Sequence, residues 1–416
     1  MNKSIRNLLV NKANVLWITL VIIVVFRLAI FLFFLNTPSF IDEQEYVGAI
    51  KVIQHAQSIS PFVIYSDSAQ PAFNFYPIIL LNSVTHLSEI ICLRIVAFIF
   101  GIGTLVLMAL ILKQKFNPLI SSLSLLFFGL NPAIVQFSTI GWFNIQNVFF
   151  ALFSFLCIEK LMRNDKLSVW FFALIIAQIF IFSGYLIGRL IGIIVFMVAI
   201  IAIREMKKKI FFIVLTVLFM LPLVYSTISS NGLAFNRIRN VTVPPFYIFN
   251  MNFVFRQIFP SVGGFLGIPY SEPINPDNKF YSPVLLGVLP FYFSPFMLIG
   301  LVAYAKRLAS LCRKNSHLPP LLIFWFMIGL IVLGVNMLTF SPLNISRSLL
   351  WVPIHTFLIA VGLNQVIKKY HYFLIPLSVL ILLLAFVNVF IYSNWFNTEF
   401  SNAVHGSFGN QRLINN

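Results

Sequence analysis

The stretch IDEQEY, residues 41–46, places Asp42, Glu43 and Glu45 within four positions of one another. The chain has only 11 Asp and Glu in 416 residues, so this concentration of acid asks for a reason. A carboxylate held beside an apolar medium can accept the proton of a hydroxyl as that hydroxyl forms a new bond. Complementary positive charge is available. Arg94, Arg189 and Arg347 stand at the ends of apolar runs, and Arg237, Arg239, Arg256 and Lys279 fall in a segment rich in Pro, Gly and Asn. The forked guanidinium suits phosphate, and charge growing on a leaving phosphate is what such donors stabilise. For any single arginine, a lipid headgroup or an ion pair with Asp277 or Glu89 is the simpler account; the set together favours an anionic ligand. The acids also have a plainer reading, as the solvated first turn of a capped helix.

Something must position these groups. If residues 41–55 form a short helix after Pro38 and Ser39, then Asp42, Glu45, Tyr46 and Ala49 share a face and Glu43 points about 100° away. The setting is a membrane. Hydrophobic residues make up 60% of the chain and charged residues 9%, against about 25% charged in soluble domains. Apolar runs of about 20 residues mark spanning helices, and the alternating pattern of a barrel is absent. The first run, near residues 15–35, exceeds the ~7–15 apolar residues of a secretory signal and is read as a retained span. The net charge of +17 does not indicate nucleic acid, because the positive residues sit between the apolar runs. Cys92, Cys157 and Cys312 lack paired spacing, and His55, His86, His317, His355, His371 and His405 lack ligand spacing. Neither a disulfide framework nor a metal site is expected.

The pattern predicts an all-α polytopic membrane protein, a single domain over residues 1–416 with about eleven spans. They fall near 14–36, 91–112, 117–137, 144–162, 167–184, 187–203, 210–229, 281–305, 318–340, 347–365 and 372–393. The run 167–203 is too long for one crossing and is split at Ser183, Gly184 and Tyr185. With the N-terminus cytoplasmic, the inner segments hold Lys3, Arg6 and Lys12, then Lys113 and Lys115, then Lys160, Arg163 and Lys166. They continue with Arg204 and Lys207–Lys209, then Lys306, Arg307, Arg313 and Lys314, then Lys368 and Lys369. Only Glu159, Asp165 and Glu205 among the acids lie inside. This asymmetry orients the chain and puts the C-terminus outside. Two outer segments are long. Residues 37–90 carry the acids and short interfacial helices, and residues 230–280 form a long loop. Arg27 lies nine residues before the end of its span, about 14 Å deep, and needs a partner inside the bundle.

These motifs together resemble the integral-membrane glycosyltransferases of the C-type fold, the group of the protein mannosyltransferases and the bacterial lipid A aminoarabinose transferase. DEQEY is similar to that family's Asp-Glu-x-x-Tyr. QPAFNFYP from Gln70 is similar to its proline–aromatic stretch, with Gln70 where relatives often carry Lys or His. LRIVAFIFGIGTLVLMAL from Leu93, NPAIVQFSTIGWFNIQNVFFALFSF from Asn131 and SRSLLWVPIHTFLIAVGL from Ser346 resemble further spans of the family. The resemblance implies transfer of a sugar from a polyprenyl-phosphate donor to a lipid, glycan or protein hydroxyl, with inversion. It places the site on the extracytoplasmic face of the cell membrane and implies no cofactor. It casts Asp42 as general base and Glu43 as its helper. Tyr46 becomes a wall or hydrogen-bond donor, and Arg94, Arg189 and Arg347 become phosphate ligands. A transporter or flippase of a lipid-linked or anionic substrate is the rival reading. It calls for charges converging at the midplane, and for internal repeats, which the sequence does not show.

Overall fold

Long runs of Leu, Ile, Val and Phe satisfy their backbone polar groups in lipid only by closing helices, and helices are what this chain forms. The computed structural model describes residues 12–37, 39, 41–55, 71–163, 169–184, 186–229, 250–267, 289–313, 320–338, 345–370 and 374–395. In chain order, α1 is Lys12–Phe34, α2 Ile41–His55, α3 Tyr76–Thr85, α4 Glu89–Lys115, α5 Pro118–Gly129 and α6 Pro132–Thr139. Then come α7 Asn144–Arg163, α8 Val169–Ser183, α9 Leu186–Ala202, α10 Met206–Ser229 and α11 Met251–Leu266. The last are α12 Ser294–Arg313, α13 Pro320–Met337, α14 Ile345–Ser348, α15 Trp351–Lys369 and α16 Leu374–Trp395. Short 3₁₀ turns, Ala72–Phe75 and Phe291–Phe293, precede α3 and α12.

Local chemistry sets several boundaries. Ser88 caps α4 by accepting from Ile91 N, with Glu89 in the first turn. Asn117 caps α5 and Asn131 caps α6, each followed by a proline at the first helical position, where the missing N–H costs nothing. Residues 117–137, expected to be one span, are therefore two helices meeting at a bend of 55°. By length and composition, four described helices can cross a membrane, at 14–34, 89–115, 144–163 and 206–225, and the bent pair would make a fifth. Shorter apolar helices occupy most of the other expected spans. The number and direction of crossings remain expectations of the charge pattern.

Three boundaries differ from the sequence reading. α12 starts at Ser294 rather than near 281, and residues 268–288 lie outside the described set. α15 starts at Trp351, and Arg347 belongs instead to the separate turn α14. Within 230–280, read as loop, residues 251–266 form α11, capped by Asn250 and closed by Gly267 at φ +74°. The division of 167–203 has a counterpart: α8 ends at Ser183, α9 begins at Leu186, and Gln178 Nε2 donates to Gly192 O across the pair (2.5 Å).

The core is one continuous apolar cluster running through α1 and α4–α9 into α12, α13 and α15. The tightest helix contact joins α12 to α15. A Cβ at Gly300 would strike the backbone carbonyl of Leu358, and one at Gly362 that of Phe296. Far from the acidic helix, Glu159 of α7 is buried between Lys115 Nζ (2.5 Å) and Arg163 Nη2 (2.6 Å), which locks α7 to the end of α4.

Candidate functional site

α2 is short and mixed in character, and its buried face tells what it is for. That face runs Glu43, Tyr46, Ala49, Ile50 and Ile53, spaced as one side of a helix. Glu43 is 0% exposed although it is an acid in a first turn. Burial of a carboxylate requires a paired cation and hydrogen bonds, and both are present. Arg94, on the second turn of α4, meets Glu43 in a two-pronged bridge: Nε to Oε1 at 2.8 Å and Nη2 to Oε2 at 2.6 Å. Gly141 N, in the short link between α6 and α7, donates to Oε1 at 2.7 Å.

The remaining arm of Arg94 reaches the other way. Its Nη1 donates to Leu35 O (2.9 Å), Thr37 O (2.8 Å) and, less closely, Phe34 O (3.4 Å) and Thr37 Oγ1 (3.3 Å). The last carbonyls of a helix lack partners and carry partial negative charge, so a guanidinium at the end of α1 both bonds and complements it. One arginine thus fixes the exit of α1, the first turn of α2 and, through Glu43, the α6–α7 link. This is where residues remote in sequence converge: 34–37, 43, 94 and 141.

Tyr46, 2% exposed, extends the same junction. Its ring lies 5.1 Å from that of Phe143 and 5.9 Å from that of Phe75. Phe75 comes from the proline–aromatic stretch, whose Asn74 donates from Nδ2 to Ser183 O at 2.6 Å, so the end of α8 is tied in as well. Such edge-on aromatic contacts add about 0.5–1.5 kcal/mol beyond area burial. Asn144, Gln146 and Asn147, all buried at the start of α7, line the neighbouring ground. The sequence reading did not select these amides; the quoted stretch from Asn131 contains them without marking them as polar neighbours.

Asp42 occupies the first turn of α2 beside Glu43, and its side chain lies outside the described set. So do Gln70, Arg237, Arg239, Asp277 and Lys279. Glu45 is partly buried, and Arg256 is exposed on α11. Arg189 sits in the first turns of α9, half-buried. Arg347, 8% exposed, sits in α14, which is pinned to α13 by Asn336 Nδ2 donating to Ser348 Oγ (2.8 Å). The structure therefore joins Glu43 to Arg94 directly, sets Tyr46 one turn along the same helix against Phe75 and Phe143, and places Arg189 and Arg347 on two other elements. Arg27 finds its partner within the bundle: Nη1 donates to Gly101 O of α4 at 3.2 Å.

No protein-family model matches the chain, and no curated protein matches it. Among solved structures, the chain is similar to ArnT from Cupriavidus metallidurans in the apo state, with a TM-score of 0.51 and 14% identity. The match covers 84% of this chain and 59% of that one, so the chain spans less than two thirds of ArnT's length. At that identity the likeness is one of fold alone, between two helical chains.

Proposed function

We propose that the protein is a glycosyltransferase of the C-type fold, moving a sugar from a polyprenyl-phosphate donor to a hydroxyl acceptor with inversion at the membrane's outer face. The observation that carries this is the knot at Arg94. A scarce, acid-bearing helix is held at the exit of the first span by a buried bidentate bridge, on a fold similar to that of ArnT, in a chain whose motifs resemble the C-type glycosyltransferases.

In this reading Asp42 is the general base. The acceptor oxygen attacks the anomeric carbon, the acceptor's proton passes to the Asp42 carboxylate, and the bond from the anomeric carbon to the phosphate oxygen breaks. The electron pair leaves with the polyprenyl phosphate. Arg189 and Arg347 are the cations for the departing phosphate. Glu43 and Arg94 are positioning residues, because each already spends its charge on the other and Arg94 Nη1 donates to carbonyls at the exit of α1. That favours a brace over a phosphate contact for Arg94. Tyr46 walls the junction. A transporter reading would lean on Arg27, deep in α1, whose Nη1 donates to the carbonyl of Gly101.

Purified protein in lipid, given polyprenyl-phosphate sugars and candidate hydroxyl acceptors, should transfer sugar. Asp42→Asn should keep the thermal transition of the parent and lose at least 100-fold in kcat, within the usual contribution of a general base. Transfer at the parental rate by that variant would remove the assignment. Arg347→Ala should raise KM for the donor and leave KM for the acceptor in place.

A further inference from the structure

The junction of α8 and α9 is held from two sides by buried amides. From the 3₁₀ turn before α3, Asn74 Nδ2 donates to Ser183 O at 2.6 Å. From the first turn of α7, Asn147 reaches the same junction, where a Cβ added at Gly184 or at Gly188 would strike its Oδ1. The two glycines thus open a notch in the backbone, and the amide fills it. Asn74 is 1% exposed and Asn147 2%.

Both amides keep unused hydrogen-bonding capacity. The bond to a carbonyl fixes Nδ2 of Asn74 as its donor and leaves Oδ1 as an acceptor without a partner among the described residues. Asn147 has no partner for either amide atom among the described residues. Contact with glycine Cα–H groups gives its Oδ1 weak compensation and its Nδ2 none. Buried polar groups left this way are costly and uncommon. Packing accounts for a side chain in the notch, but not for a polar one.

The open groups select the chemistry of a ligand. They are two carbonyl oxygens and one NH₂, gathered at one junction. A phosphate only accepts, and both oxygens would face it with like partial charge. A hydrocarbon chain satisfies none of the three. A hydroxyl donates and accepts, and neighbouring hydroxyls of a sugar ring serve all three groups together. The location agrees. Phe75, next to Asn74, and Phe143, at the entry to α7, pack on each other and on Tyr46 of α2. Arg189, the proposed cation for the departing phosphate, follows Gly188. Phe73, Phe182 and Arg189 adjoin Asn74, Ser183 and Gly188 in sequence and are half-buried, so the amides lie just beneath partly open ground.

We propose that Asn74 and Asn147 bind neighbouring hydroxyls of the transferred sugar at the α8–α9 junction and so determine which sugar is accepted. This rests on the transferase reading above. Full-length protein in lipid nanodiscs is given polyprenyl phosphates carrying glucose, galactose, mannose or arabinose, and then each monodeoxy form of the best donor. The parent should reject one monodeoxy donor by about 100-fold or more in kcat/KM. Asn147→Ala should lose a similar factor on the full donor yet use that deoxy donor as the parent does, so that the two changes do not add. Equal loss on every donor would make Asn147 structural, and unchanged discrimination would leave the amide holding an ordered water only. Either result overturns the proposal, as does a parent that takes every deoxy donor equally well. Should Asn147→Ala not fold, labelling of the parent decides. A polyprenyl-phosphate sugar bearing a diazirine on the sugar should label the 3₁₀ turn before α3 or the first turns of α7 and α9, and labelling confined to other elements overturns the proposal. If the parent transfers sugar from no donor, the transferase reading falls and the same label still tests the subsite. Transfer with the label confined elsewhere keeps the transferase reading and removes the subsite.

Discussion

Glu43→Gln would leave the Arg94 guanidinium charged and uncompensated inside the bundle, at a cost of about 3–5 kcal/mol. Arg94→Met alone should cost a similar amount, and the double variant much less than the sum, because the pair is one unit. Thermal unfolding of the four proteins in one detergent measures this, and strict additivity would show the bridge to be incidental. The acids and Arg94 were legible as unusual residues, by scarcity and by a position at odds with the inner charge bias. Their pairing was not. It joins positions 51 apart in the chain and depends on how α1, α2 and α4 meet. Helical spacing puts Asp42, Glu45, Tyr46 and Ala49 on one face and turns Glu43 about 100° away, and the burial of Glu43 is not visible in that spacing. The buried face runs through Glu43, Tyr46, Ala49, Ile50 and Ile53. The apolar Ile50 and Ile53, seven and ten positions after Glu43, were the available signal.

At the scale of elements, the packing of α12 on α15 depends on backbone approach at two glycines. Gly300→Ala should push the helices apart, because the obstacle is a carbonyl that cannot rotate away. A loss of about 1–3 kcal/mol is expected for such overpacking; a thermal transition equal to the parent's would refute the contact. Asn131→Ala should cost about 1 kcal/mol by removing the cap of α6, whose amides from Ala133 and Ile134 it accepts. The helices themselves were largely legible, since length and apolarity mark them. Their interruptions were less so. The Asn131–Pro132 pair that divides α5 from α6 lies inside a run that is apolar from 117 to 137. α11 was missed because Pro260, Gly263 and Gly264 depress its helical propensity, while its support comes from packing on α12 and α13.

For the whole molecule, the charge asymmetry predicts which parts face which compartment. With the native cysteines replaced, a cysteine at Gln54 or Leu87 should react with an impermeant thiol reagent added outside intact cells, and one at Lys208 only after permeabilisation. Gln54 and Leu87 are exposed, and Lys208 is partly exposed in its pair with Glu205. The reverse labelling would invert the orientation and move the proposed site to the cytoplasm. The buried arginine of α1 has a further consequence, for biogenesis. Its acceptor, the carbonyl of Gly101, is synthesised 74 residues later. The nascent first helix must therefore settle in the bilayer while that charge still lacks its eventual companion. On insertion scales a central arginine costs about 2.5–3.5 kcal/mol, and each Leu, Ile, Phe or Val returns about 0.3–0.6. The dense VLWITLVIIVVF ahead of Arg27 and LAIFLFF behind it supply that return. The composition of this helix answers to the order in which the ribosome delivers the chain as much as to the finished fold.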